Sequence, residues 1–244
     1  MEKKKILSLS YDCLALKEAT DAVLAAAREG RSLCVFTPGA TVGAAAMRDK
    51  ELRSLLSRAD LLLADGVGVS LASRLAKEGK IETVRGISLG EEVLRRGGRE
   101  GLRVFFYGGR EGVAARAAEN WRRRYPRLVF GTAHGYGREP TEKILAFAPD
   151  VLFVCLGVPR QERYACENAA RFSFPVLALG GSLDVWSGDL LRAPRVFQKM
   201  GLEWLWRVLL EPRRARRLLP LPAYFLSCAA AGVKKLLRKR QKEG

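Results

Sequence analysis

Seven short apolar runs punctuate the first 180 positions of the chain, at residues 4–10, 32–37, 60–64, 102–107, 128–134, 151–157 and 175–180. Several are apolar at nearly every position, as in Val151-Leu152-Phe153-Val154-Cys155. A strand with one wet face alternates apolar and polar residues, whereas a strand covered on both faces need not. The runs are therefore read as parallel strands buried on both sides. Helical patterns lie between them at 17–30, 68–79, 89–101 and 112–126, the last halted by Pro126. Gly30 and Gly79 stand where helix C-termini take a left-handed residue. Strands alternating with helices predict right-handed β-α-β units. The expected fold class is α/β, a Rossmann-like, doubly wound and mostly parallel sheet.

With 48% hydrophobic residues in 244 positions, the chain has ample material for a core, which excludes global disorder. Its five cysteines are odd in number and form no CxxC, and His134 is the only histidine. This pattern opposes a disulfide scaffold and a zinc site and fits a reducing cytoplasm. A Ser-His-Asp triad finds no GxSxG either. The start, MEKKKILSLS, lacks a long apolar segment, so no signal peptide is expected.

Charge is lopsided, with 43 Lys and Arg against 26 Asp and Glu, a net of +17. Such a chain seeks anionic partners: nucleic acid, an anionic membrane surface or phosphorylated small molecules. Residues 201–244 hold eleven Lys and Arg and three Glu, so the tail is far denser in positive charge than the remainder. The strand–helix pattern also breaks down near residue 195. We therefore divide the chain into a catalytic core, 1–195, and a basic amphipathic C-terminal appendage, 196–244. Within the appendage Leu202, Leu205, Trp206, Leu209 and Leu210 make one helical stripe. The apolar run 218–233 carries Pro220 and Pro222 and is shorter than the ~20 residues that span a bilayer. A helix from about Ala223 would be apolar first and basic later. It suits either an interfacial segment on anionic lipid or a helix packed on the core with a solvated basic end.

Ligands of doubly wound sheets bind beyond the C-terminal ends of the strands, so the residues after each run are the candidates. Thr37-Pro38-Gly39 follows the second run and offers a hydroxyl and close backbone approach, or merely a turn with Thr as a helix cap. Asp65 follows the third, beside Gly66. It suits a general base toward a hydroxyl, a ribose ligand or a helix N-cap. Gly108 and Gly109 open a helix after the fourth run, an arrangement that cradles a diphosphate, although the full GxGxxG is lacking. Arg160 and Gln161 offer a cation and an amide for a sugar or a phosphate, or form a solvated loop. Tyr136, in His134-Gly135-Tyr136, is at most a ligand-facing aromatic on a turn. Arg207, Arg213, Arg214, Arg216 and Arg217 form the densest cationic cluster. Arg207 and Arg214 would align on an unbroken helix, which Pro212 puts in question. The cluster could neutralise a departing diphosphate, bind lipid phosphates or simply be solvated.

TPGAT, LLLADGVGVSLAS, RVFFYGGREGVA, AHGYG, PDVLFVCLGVPRQE, LALGGSLDVWSGDLLRAPR and GLEWLWRVLLEPRRARR occur in this order over roughly residues 32–217. Together they resemble the WecG/TagA/CpsF glycosyltransferase family. The resemblance implies an inverting, metal-independent enzyme without a cofactor. It would move a sugar, N-acetylmannosamine by preference, from a UDP-sugar donor to an undecaprenyl-diphosphate-linked N-acetylglucosamine acceptor, in cell-surface polymer synthesis such as that of teichoic acid. It implies Asp65 as general base and Thr37 and Gln161 as substrate contacts. It also implies Arg207, Arg214 and Arg217 as appendage arginines that close over the site and stabilise the leaving UDP. Gly39, Gly66, Gly108, Gly109, Tyr136 and Arg160 complete the substrate-binding candidates. Many members carry Asn where Gly39 stands, so N-acetylglucosamine, glucose or a uronate remain open as donor sugars. The expected location is the cytoplasm, with the protein peripheral to the inner face of the bacterial plasma membrane. Self-association is open. Two other classes fit the sequence less well: a nucleic-acid-binding module, for which it shows no RRM, KH or helix-turn-helix signature, and a nicotinamide oxidoreductase, for which it lacks the fingerprint and its acidic ribose partner.

Overall fold

The computed structural model describes residues 2–194, 196–197 and 200–243; the side chains at 207, 213, 214, 239, 240, 242 and 243 lie outside the description. The chain begins with β1 (Lys3–Ile6) and β2 (Leu9–Asp12), followed by α1 (Leu16–Arg28), β3 (Leu33–Phe36), α2 (Ala40–Arg48) and α3 (Lys50–Ser57). Next come β4 (Leu61–Leu62), α4 (Val67–Leu75), α5 (Gly86–Glu100), β5 (Arg103–Gly108), α6 (Val113–Arg124) and β6 (Val129–Ala133). The core closes with α7 (Thr141–Phe147), β7 (Val151–Cys155), α8 (Arg160–Asn168), β8 (Pro175–Ala178) and α9 (Ser182–Trp186).

Six strands form one all-parallel sheet in the order β4-β3-β8-β7-β5-β6. All C-terminal strand ends therefore share one rim. The near-continuous apolar runs are explained by cover on both faces. Cys34, Phe36, Phe105, Leu152, Val154 and Val176 face one helical layer, with α2, α3 and α8. Leu33, Val35, Val104, Phe106, Val151, Phe153 and Leu177 face the other, with α1, α5, α6 and α9. Neighbours in sequence thus go to opposite layers, as a pleated strand requires.

The run 4–10 departs from its expected place in the parallel sheet. It forms the antiparallel hairpin β1–β2, turning at Leu7, which has φ 54°. The physical reason is its alternation: Ile6, Leu9 and Tyr11 are buried while Lys5 and Ser10 are exposed, so this ribbon keeps one wet face. The hairpin joins the sheet edge through Asp12, whose carboxylate accepts the Leu62 N–H at 2.9 Å.

Beyond the core, α10 (Glu203–Leu210) gives way at Pro212 to a 3-10 segment, Pro212–Leu218. No unbroken helix aligns Arg207 with Arg214, because the proline ring and its missing N–H end the helix. The last helix, α11 (Leu221–Glu243), packs on α2 and α4. Tyr224 and Cys228 are buried, and Gly232 passes so near α4 that a Cβ there would fall 2.1 Å from the Leu75 carbonyl oxygen. Lys235 Nζ pairs with Glu78 at 2.8 Å. Among the described residues, no helix is long and apolar enough to cross a membrane.

Candidate functional site

Strand parity decides what faces what at the rim. Leu33 and Val35 of β3, and Leu61 and Leu63 at β4, point into the layer that holds α5. Two residues further on, Thr37 and Asp65 point the same way. Asp65 is half-buried and its Oδ2 accepts the backbone N–H of Gly86, the first residue of α5, at 3.4 Å. Thr37 lies against the same glycine: a Cβ on Gly86 would sit 2.5 Å from Thr37 Oγ1. Gly39 pairs with Asp65 as an isolated parallel bridge, which holds the two strand ends in register.

Asp65 does not cap its own helix. Gly66 is the N-cap of α4, at φ 80°, and Arg85, the N-cap of α5, supplies no side-chain cap. The Asp65 carboxylate instead lies at the N-terminus of α5, where the helix dipole and unpaired N–H groups stabilise an anion. This accounts for the start of α5 at Gly86, three residues before the helix legible in the sequence.

Around Asp65 the backbone is bare. Gly66 after β4, Gly157 after β7 and Gly180 after β8 have φ of 80°, 76° and 55°. At each of them nothing lies within 4 Å of where a Cβ would be. β4, β3, β8 and β7 lie side by side in the sheet, so the glycines edge one open stretch of rim in which a ligand can approach main-chain atoms.

Gln161 is placed differently from a ligand-facing amide. It is 4% exposed, its Oε1 accepts the Gly180 N–H at 2.9 Å, and its Nε2 donates to Glu162 Oε1 at 2.9 Å. It braces the Gly180 turn against the start of α8. Glu162 is itself buried; desolvation pushes its carboxyl above the usual range, and its Oε2 has no hydrogen-bond partner among the described residues.

The other half of the rim is knitted tightly. A Cβ on Gly108 would fall 2.2 Å from the Cys155 carbonyl oxygen, and the Gly109 N–H donates to that oxygen at 3.4 Å. Gly135 N–H donates to Gly109 O at 2.8 Å, and Arg160 Nη2 donates to Gly135 O at 2.9 Å. The glycines after β5 thus bring strands and loops into close contact. Tyr136, 61% exposed, projects outward from this corner. Arg217 is exposed, whereas the side chains of Arg207 and Arg214 lie outside the described residues.

Several site residues carried no motif of their own. Arg85 and Gly86 follow no strand, so nothing local marked them. Arg85 Nη1 pairs with Glu203 of α10 at 3.1 Å, tying the tail to the start of α5. Gly157 and Gly180 lay in strand-end turns whose signal was only their glycine. A cavity of about 530 Å³ lies away from the rim, where Trp121 and Arg124 of α6, Trp186 of α9, Glu91 and Arg192 meet. Arg192 closes onto Glu91 at 2.5 Å. Among the described residues, no group of three or more His, Cys, Asp or Glu is placed to hold a metal ion.

A sequence model described as "Glycosyl transferase WecG/TagA/CpsF family" matches residues 4–240. A relative from Bacillus spizizenii, named N-acetylglucosaminyldiphosphoundecaprenol N-acetyl-beta-D-mannosaminyltransferase, is 36% identical over 203 residues, covering 80% of this chain and 78% of its own. Proteins of the same name from Bacillus subtilis and Staphylococcus aureus are 32% and 33% identical, covering 79% and 72% of this chain and 77% and 72% of their own.

Proposed function

The chain belongs to the WecG/TagA/CpsF family of glycosyl transferases, and from that premise we propose that it moves N-acetylmannosamine from a UDP-sugar to undecaprenyl-diphosphate-linked N-acetylglucosamine. The observation that carries this reading is the carboxylate of Asp65, half-buried beside a rim of bare glycine backbone. An acceptor hydroxyl seated there gives its proton to Asp65 as its oxygen attacks the anomeric carbon. The bond from that carbon to the UDP oxygen breaks from the opposite face, UDP leaves with the electron pair, and the configuration inverts. Thr37, Gly39 and Gly66 border the acceptor side, and Gln161 acts through the Gly180 turn. Gly108, Gly109, Tyr136 and Arg160 form the other end of the rim.

The leaving UDP gains negative charge, and the sequence presents no DxD pair to recruit a metal ion for it. In this proposal Arg207, Arg214 and Arg217 of the appendage supply the positive charge instead. The basic tail and its outward apolar residues suit a protein that works at the inner face of the plasma membrane, where a lipid-linked acceptor resides. The bilayer surface, rather than nucleic acid, is the anionic partner.

Assaying the purified protein with UDP-N-acetylmannosamine, UDP-N-acetylglucosamine, UDP-glucose and a UDP-uronate on a lipid-linked N-acetylglucosamine acceptor tests the reading. We expect the first donor to be used and the product to have inverted anomeric configuration. Use of another donor replaces the sugar assignment, and retention of configuration removes the single-displacement mechanism.

A further inference from the structure

We propose that the outward face of α4 seats the polyprenyl chain of the acceptor, with Val67 and Leu71 as its first contacts. This inference rests on the reading of Asp65 given above. An acceptor hydroxyl held at Asp65 is separated from its first isoprene unit by only a hexose and two phosphates. The chain must therefore emerge close to the end of β4, and water is a poor medium for it.

The helix that begins there is apolar on two sides. Val69 and Ala72 of α4 are fully buried in the core. Val67 and Leu71 are 46% and 47% exposed. They stand four residues apart, hence on one face and about 6 Å along the axis. Val67 is two residues from Asp65. The tail borders this strip: a Cβ on Gly201 would fall 2.2 Å from Val67 Cγ1, and the adjacent Met200 is 63% exposed. On its other side α4 meets α11, whose Leu226, Val233 and Leu237 are also turned outward. Apolar side chains thus accompany α4 from the catalytic rim to the C-terminal helix. A lipid tail attached to the substrate is the occupant whose position the chemistry itself dictates.

The test compares two acceptors with the full-length protein: N-acetylglucosamine diphosphate on undecaprenol, and the same sugar diphosphate carrying only a methyl group in place of the polyprenyl chain. For Leu71→Gln and Val67→Thr we expect the KM for the undecaprenyl acceptor to rise roughly tenfold, about the transfer value of one large apolar side chain. The KM for the UDP-sugar, the turnover on the methyl acceptor and the melting temperature should stay near wild type. Equal losses on both acceptors, or none on either, would overturn the proposal. A photoreactive polyprenyl diphosphate reads the seat without catalysis. Labelling on α4 that Leu71→Gln abolishes supports it; labelling elsewhere, or cross-links between two copies of the chain through α4, refutes it. Wild-type protein that transfers no sugar but is labelled on α4 would sink the reaction assignment and leave the lipid seat standing.

Discussion

The carboxylate of Asp65 accepts the N–H of Gly86 at 3.4 Å, joining the end of β4 to the first turn of α5 across 21 positions of sequence. The bond orients the carboxylate and puts it at a helix N-terminus, which stabilises its anionic form. A base must be anionic to accept a proton, so the geometry suits the role.

Asp65→Asn keeps a hydrogen-bond acceptor for Gly86 but cannot take a proton. Turnover should fall by about 10²–10⁴-fold, the usual contribution of a positioned general base. Affinity for UDP-sugar, measured by calorimetry, should stay within a few-fold. Near-normal turnover would remove Asp65 from the mechanism.

Gly86→Ala tests the meeting of Thr37 and Asp65 at one backbone position. The new Cβ would be 2.5 Å from Thr37 Oγ1, so the hydroxyl or the helix must shift. Overpacking of this kind costs about 1–3 kcal/mol. Both melting temperature and turnover should drop, and the double variant Gly86→Ala with Thr37→Ala should recover part of the stability. Absence of any recovery would mean that the clash is not with Thr37.

Two glycines separate ligand approach from internal packing. Gly157→Ala meets nothing within 4 Å, so its cost is chiefly the left-handed backbone at φ 76°, about 1–2 kcal/mol. That corresponds to a few degrees in melting temperature for a chain of this size. If substrate occupies the open rim, its KM should rise well beyond what this loss of stability explains. Gly108→Ala would instead drive a Cβ to 2.2 Å from a carbonyl oxygen of β7 and should unfold the protein or abolish its soluble expression. Equal behaviour of the two variants in thermal melts would refute the distinction.

The elements legible in the sequence were those with strong periodicity. The apolar runs at 32–37, 102–107 and 151–157 became β3, β5 and β7 because burial on both faces leaves no room for polar alternation. Shorter elements such as α2, α3 and α9 were not legible, since their helical state depends on packing against the sheet more than on local pattern. At the site, Asp65 and Thr37 could be named from their places after apolar runs. Their common partner could not, because Gly86 arrives from a helix distant in sequence. Gln161 shows the converse limit. Its position after β7 pointed to the rim, yet whether its amide met a ligand or the Gly180 N–H depended on how β8 lies beside β7.

Glu162 gives the fold a signature in pH. Burial pushes its carboxyl above the ordinary range, so over that interval the native state holds a proton that the unfolded chain has released. Stability changes with pH in proportion to protons bound by the unfolded state minus those bound by the native state. That difference is negative here, so this group's contribution is fully present below the unfolded pKa and is lost as pH rises through the raised native one. Glu162→Gln keeps an oxygen to accept the Gln161 Nε2 proton but has no charge to gain. Thermal melts of both proteins from about pH 4 to about pH 8 should show the variant's melting temperature rising relative to wild type as pH increases. A constant difference across the series would show that Glu162 ionises in the native protein as freely as in the unfolded chain. Turnover measured alongside adds a second readout: because Gln161 holds the Gly180 turn, a variant that keeps this brace should retain most activity, whereas Gln161→Ala should lose activity through a raised KM.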